Sequence, residues 1–242
     1  MATGERHSER AGAQARSMGT EELVIPAGGS AGEVAALSLR PQSAVAALVL
    51  AHGAGAGMRH AFMTAIAERL AARGIATLRY QFPYIEKASS RPDPAPVLMA
   101  TVCSAVEAAT RTLGDLPLFA GGKSMGGRMT SGASALRPLP GVRGLVFYGF
   151  PLHPAGRPST VRAEHLTRVA RPMLFLQGPR DTLADPGLVA QVCGSLGERA
   201  TLHVVEGADH GFHVLKRSGR TDEDVLDELA DVTAGWMGRQ SA

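Results

Sequence analysis

Apolar runs recur along the chain at intervals, and each predicts a β-strand. Val45–Leu50 is apolar throughout, as expected of a strand covered on both faces of a parallel sheet. Ile75–Tyr80, Gly144–Tyr148, Met173–Leu176 and Thr201–Val205 continue the series, and Leu116–Ala120 adds another strand-like run. Ahead of them, Glu22–Pro26 and Val34–Arg40 read as two shorter strands. The turn-like Ala27-Gly28-Gly29-Ser30 joins them into an antiparallel hairpin at a sheet edge.

Between the strands the apolar period changes to that of a helix. His60–Arg73 puts Phe62, Ile66 and Leu70 on one face, and Gly74 ends it. Pro94–Leu113 and Leu188–Leu196 are further apolar helices, and Gly127–Leu136 can form one. Thr221–Met237 carries the stripe Val225, Leu229, Val232, Trp236. Thr221 suits its N-cap, with Asp222, Glu223 and Asp224 in the first turn favouring the helix dipole. A hairpin followed by repeated βα units predicts an α/β fold, a mainly parallel sheet with helices on both faces. Neither an internal repeat nor a linker divides it. Residues 20–242 are expected to form one domain. Residues 1–19, polar and poor in large apolar side chains, are expected to be a disordered tail without a secretory h-region.

Composition narrows the function classes. Of 242 residues 45% are apolar, enough for a sizeable core, and the net charge is only +3. Lysine occurs only at Lys87, Lys123 and Lys216, and no long basic run suggests nucleic acid as a partner. No stretch of about 18 apolar residues suggests a membrane span. The two cysteines, Cys103 and Cys193, lie in helical segments and read as buried free thiols, which suits a reducing cytoplasm. No H-E-x-x-H or paired C-x-x-C points to a metal, and no cofactor is implied.

The chemistry is carried by Gly122-Lys123-Ser124-Met125-Gly126, a G-x-S-x-G nucleophile elbow between a strand and a helix. A serine on such a turn is strained and presented to solvent. Its neighbours two residues away must be small, as Gly122 and Gly126 are. After Val45–Leu50 comes Ala51-His52-Gly53-Ala54-Gly55-Ala56-Gly57, whose exposed backbone amides can face a developing negative charge. Ala54 and Met125 are the expected oxyanion-hole donors. A phosphate loop fits poorly, because neither G-x-G-x-x-G nor the Walker pattern is present. His210, in the loop after the last strand, is the expected base, with His213 as competitor. Asp181, after Met173–Leu176, is the expected acid, and Asp185 reads more naturally as a helix start. The order Ser124, Asp181, His210 is that of α/β-hydrolases.

On these residues the chain resembles an α/β-hydrolase from about Glu22 to Met237. Lys123–Arg128, together with Tyr80–Pro83 and Arg91-Pro92-Asp93, resembles more narrowly a small bacterial branch. That branch is akin to dienelactone hydrolases and to the testis-expressed and chromatin-complex hydrolase-like proteins of animals. Dienelactone hydrolases carry a cysteine nucleophile where this chain has Ser124, so lactone specificity does not carry over. The resemblance implies the hydrolase fold. The function expected is a serine hydrolase cleaving a small ester or thioester. A non-catalytic interaction protein retaining the fold is the alternative, and a peptidase of this fold is a third reading.

Only Gly149–Arg171 separates two strands where many relatives insert a cap. This allows one short helix near Val161–Val169 and no cap domain, hence an open site for small substrates. His52, Arg59, Lys123 and Arg128 are the expected substrate-binding side chains. The three cations among them suggest a taste for carboxylate or phosphate, against the plainer reading that most are solvated or paired with surface acids.

Overall fold

The structure is a computed structural model and describes residues 19–29 and 31–241. The tail expected over 1–19 falls outside these residues but for Gly19, as does Ser30 of the hairpin turn. Among the described residues eight strands form one sheet: β1 (Thr20–Pro26), β2 (Glu33–Leu39), β3 (Ala46–Ala51), β4 (Ile75–Tyr80), β5 (Leu118–Lys123), β6 (Val142–Tyr148), β7 (Met173–Gln177) and β8 (Ala200–Val204). Their order is β1-β2-β4-β3-β5-β6-β7-β8. β1 and β2 pair antiparallel, β2 joins β4 antiparallel, and every other pairing is parallel.

The helices are α1 (Ala61–Ala72), α2 (Pro83–Glu86), α3 (Ala95–Leu113), α4 (Met125–Leu136), α5 (Pro186–Leu196) and α6 (Asp222–Ser241). The short α2 carries proline in its first turn and escapes a reading based on long apolar periods. Segment 161–168 forms a 3₁₀ helix in place of any cap between β6 and β7.

Strand alternation explains the uninterrupted apolar runs. In β3, Ala47, Val49 and Ala51 face one buried cluster, while Ala46, Leu48 and Leu50 face another. The first cluster is completed by α3, α4 and α5 through residues such as Val102, Met129 and Val189. The second is completed by Met63, Ile66 and Leu70 of α1 and by Val225, Leu229 and Trp236 of α6. Both faces are therefore dry, and no polar alternation survives in the central strands.

α1 and α6 are also tied at their rims. Arg73 meets Asp231 at 2.6 Å and Asp227 at 3.1 Å, and Arg69 meets Glu223. Thr221 caps α6 reciprocally: its Oγ1 accepts from the Asp224 amide at 3.1 Å, and Asp224 Oδ2 accepts from the Thr221 amide at 2.8 Å. The helix runs to Ser241, beyond Met237. The two edge strands are the exceptions: β1 leaves Val24 exposed and β8 leaves Val204 exposed, and after β8 the buried residue is Val205, one position past its end. Cys193 is buried but Cys103 only partly, a correction to the expected pair of buried thiols.

Strand order reverses between β3 and β5. A crevice opens at such a switch, beyond the carboxyl ends of the strands. The glycine loop after β3 and the serine after β5 lie on either side of it.

Candidate active site

Backbone geometry makes the elbow. Ser124 sits between β5 and α4 at φ 52° and ψ −116°, in a region that costs a non-glycine residue ~1–3 kcal/mol. Its amide donates to the Tyr148 carbonyl at 3.0 Å, and its carbonyl accepts from the Arg128 amide at 3.2 Å. The flanking glycines are obligatory. A Cβ on Gly122 would lie 2.4 Å from the Ala51 carbonyl oxygen, and one on Gly126 would lie 2.5 Å from the same atom.

The glycine loop after β3 is clamped from residues 81–84. Met58 donates its amide to Gln81 Oε1 at 2.9 Å, and Gly55 donates to the Tyr84 hydroxyl at 3.2 Å. His52 Nε2 accepts from the Phe82 amide at 3.1 Å, so the proton sits on Nδ1, which donates to the Gly53 carbonyl at 2.7 Å. Burial drives the His52 pKa down to about 4, against the opposing pull of the Gly53 carbonyl. The ring is therefore a neutral brace for the loop. This corrects the expectation that it contacts substrate: it is fully buried and both nitrogens are used.

The three chemical side chains meet. His210 Nε2 is 2.9 Å from Ser124 Oγ, and His210 Nδ1 is 2.7 Å from Asp181 Oδ2. A carboxylate can only accept, so Nδ1 carries the proton and Nε2 offers its lone pair to the serine hydroxyl. Asp181 is fully buried at its carboxylate. Its Oδ1 accepts from the Leu183 amide at 2.7 Å and its Oδ2 from Gln177 Nε2 at 2.6 Å. Gln177 in turn accepts from the Phe150 amide through Oε1 at 2.9 Å, so one amide group ties the acid to the segment just past β6. Gln177 went unnoticed in the sequence, although a polar residue closing the run Met173–Leu176 was a usable signal.

The competitors are engaged elsewhere. His213 faces Asp222 at 2.8 Å on the surface, and Asp185 caps α5 by accepting from the Leu188 amide at 3.0 Å.

Lys123 is the last residue of β5, and strand alternation turns it to the side of Phe119, away from the cleft. Its Nζ donates to the His210 carbonyl at 2.5 Å and lies 5.3 Å and 5.8 Å from the ring centres of Phe212 and Phe62. Burial lowers its pKa to about 8, opposed by Asp181 and Asp209. Arg59 pairs with Glu22 at 2.7 Å on the surface. Neither side chain is placed for substrate, which corrects that expectation for both. Arg128 alone of the three expected cations lines the cleft beside Ser124.

That cleft has a volume of about 330 Å³ and is bordered by Ala54, Ser124, Met125, Arg128, Arg162 and Leu183, among others. Asp93 also borders it, its Oδ2 buried without a hydrogen-bond partner among the described residues. No group of three or more potential metal ligands occurs among the described residues, and no described helix is long and apolar enough to cross a membrane.

A family model described as an alpha/beta hydrolase domain matches residues 44–238. Among solved structures, an alpha-beta serine hydrolase homologue from Coxiella burnetii superposes with a TM-score of 0.69 at 20% identity, covering 88% of this chain and 95% of its own. A serine hydrolase without a lid from Xanthomonas campestris gives 0.69 at 21% identity, with coverages of 90% and 94%. A dienelactone hydrolase from Anabaena variabilis gives 0.70 at 20% identity, with coverages of 91% and 98%. At these identities the likeness carries the fold.

Proposed function

Because the chain belongs to the alpha/beta hydrolase family, we propose that it is a serine hydrolase that cleaves a small ester or thioester through an acyl-enzyme on Ser124. The observation that carries this reading is the relay of 2.9 Å and 2.7 Å from Ser124 through His210 to Asp181, built on a serine held at positive φ. A scaffold protein gains nothing from a strained, solvent-facing hydroxyl aimed at an imidazole.

In the proposed reaction His210 Nε2 takes the hydroxyl proton as Ser124 Oγ attacks the carbonyl carbon. The amides of Ala54 and Met125 hold the oxyanion. Removing one such donor typically costs ~3 kcal/mol of transition-state stabilisation. As the tetrahedral intermediate collapses, the bond to the leaving group breaks and His210 returns the proton to that group. Water then repeats the sequence on the acyl-enzyme and releases the acid. Asp181 keeps the imidazole in its Nδ1–H tautomer and offsets its transient positive charge.

With only the 3₁₀ segment 161–168 above the cleft among the described residues, small substrates suit the site better than a lipid surface. Two cysteines without a disulfide support the cytoplasm as its setting.

The test is labelling with a fluorophosphonate probe. Wild-type protein should be labelled and Ser124→Ala should not. Failure of the wild type to label would leave the non-catalytic reading standing.

A further inference from the structure

We propose that the acyl chain of the substrate ends in an anionic group, a carboxylate or a phosphate, which sits in a second chamber behind Ser124 among Arg128, Arg162 and Arg168. This rests on Ser124 being the nucleophile.

The second chamber has a volume of about 320 Å³. It shares Arg128, Met129 and Arg162 with the cleft at Ser124, so the two form one corridor along α4. Arg128 stands four residues after Ser124 and Gly132 eight, which places the corridor ~6–12 Å along the helix from the nucleophile. The acyl arm is the part that enters it. The leaving group must lie beside His210 Nε2, 2.9 Å from Ser124 Oγ, to be protonated, which leaves the corridor along α4 to the acyl arm.

The walls alternate in kind. Met129 and Met99 give an apolar floor of adaptable side chains suited to a methylene chain. The same space is bordered by three guanidinium groups and His165, and Arg128 and Arg162 also border the cleft at Ser124. Among the described residues no acidic side chain borders this chamber, whereas Asp93 borders the cleft next to Ser124. Asp93 therefore offsets Arg128 and Arg162 at the Ser124 end, and the positive charge is greatest one to two helical turns away, where Arg168 joins them.

The arginines lack the partners that others have. Arg40, Arg59, Arg69, Arg73 and Arg220 all reach a carboxylate, but Arg128, Arg162 and Arg168 form no ion pair with any described residue. The Nε of Arg128 is buried without a hydrogen-bond partner among the described residues. Burial, with Arg162 adding to it, pulls the Arg128 pKa down, and the same burial with Arg128 and Arg168 nearby holds His165 at about 4. Like charges gathered around an apolar channel are a cost to the empty protein that an anionic ligand removes. A planar fork suits a carboxylate or a phosphate equally.

The experiment compares p-nitrophenyl hexanoate with the p-nitrophenyl half-esters of succinic, adipic and suberic acids and with a chain of adipate length ending in phosphate. The adipate or suberate half-ester should exceed the neutral ester in kcat/KM by about tenfold or more, the size of one charge-assisted hydrogen bond. The succinate half-ester, too short to pass Asp93, should not. Preference for the phosphate arm over the carboxylate arm, or the reverse, identifies the anion. In Arg162→Gln/Arg168→Gln the ratio should fall towards one.

A wild-type ratio of one or below, with the fluorophosphonate probe still labelling Ser124, overturns the chamber's role and leaves the hydrolase reading standing. Should neither ester be cleaved nor the probe react, calorimetry with free adipate decides. Binding to the wild type that the double variant loses supports the anion site without catalysis, and absence of binding overturns it.

Discussion

The two halves of the site are held by different means. On the β3–β5 side the elbow is set by backbone contact: Gly122 and Gly126 let it press against the Ala51 carbonyl, while His52, Gln81 and Tyr84 only brace the loop after β3. On the β7–β8 side, side chains do the holding. Gln177 and the Leu183 amide position Asp181, Asp181 positions His210, and Lys123 fastens the His210 carbonyl. A part defined by backbone contact tolerates no added atom and fails outright. A part defined by side-chain hydrogen bonds can lose one member and keep its shape, so its failures are graded and chemical.

The largest effect expected is on the backbone-held side. Gly126→Ala would thrust a methyl group within 2.5 Å of the Ala51 oxygen and 2.7 Å of the His52 oxygen, neither of which can turn away. A cost of about 3 kcal/mol, or a fall in Tm of roughly 6–12 °C, should accompany loss of probe labelling. An unchanged Tm would mean that the elbow is softer than its contacts imply.

Next comes the side-chain-held half. Asp181→Asn keeps an acceptor for the Leu183 amide but presents the wrong group to His210 Nδ1. kcat should fall by ~10³–10⁴. The introduced amide also faces Gln177 Nε2, so Tm should fall too, by less than in Gly126→Ala. A parallel collapse of Tm would erase the contrast between the two sides.

The effect that is smallest near neutral pH touches stability alone. His52, held down at about 4 against an ordinary 6.5, refuses a proton that the unfolded chain accepts. Between those values the unfolded state binds more protons, so stability rises with pH and is lost as pH falls from about 6.5 towards 4. The loss should be about 3 kcal/mol. His52→Gln can still donate to Gly53 and accept from Phe82 but does not titrate, and denaturant unfolding across this window should be flatter for it than for the wild type.

Sequence carried the fold and the meeting of Ser124, Asp181 and His210 because both depend on order along the chain. Apolar runs number the strands, and in a parallel sheet the loops that follow them gather at one edge. Side-chain direction is a different kind of information. Lys123 was legible in principle, since it shares the parity of Phe119 and so points to the α1–α6 face. His52 was not, because it lies past the end of β3, where alternation stops. Arg162 and Arg168 come from a 3₁₀ segment more than thirty residues after α4 begins, and only tertiary packing sets them beside Arg128.

The short 3₁₀ rung over the cleft has a kinetic meaning. Among the described residues nothing else closes over the vestibule, so none of them has to swing open between turnovers. On the proposed chemistry, the clock is then set by making and breaking the acyl bond rather than by waiting for a flap to move. The same openness admits the second reactant, water, from the bulk. The enzyme would keep its acyl intermediate brief, favouring release to solvent over transfer to another acceptor.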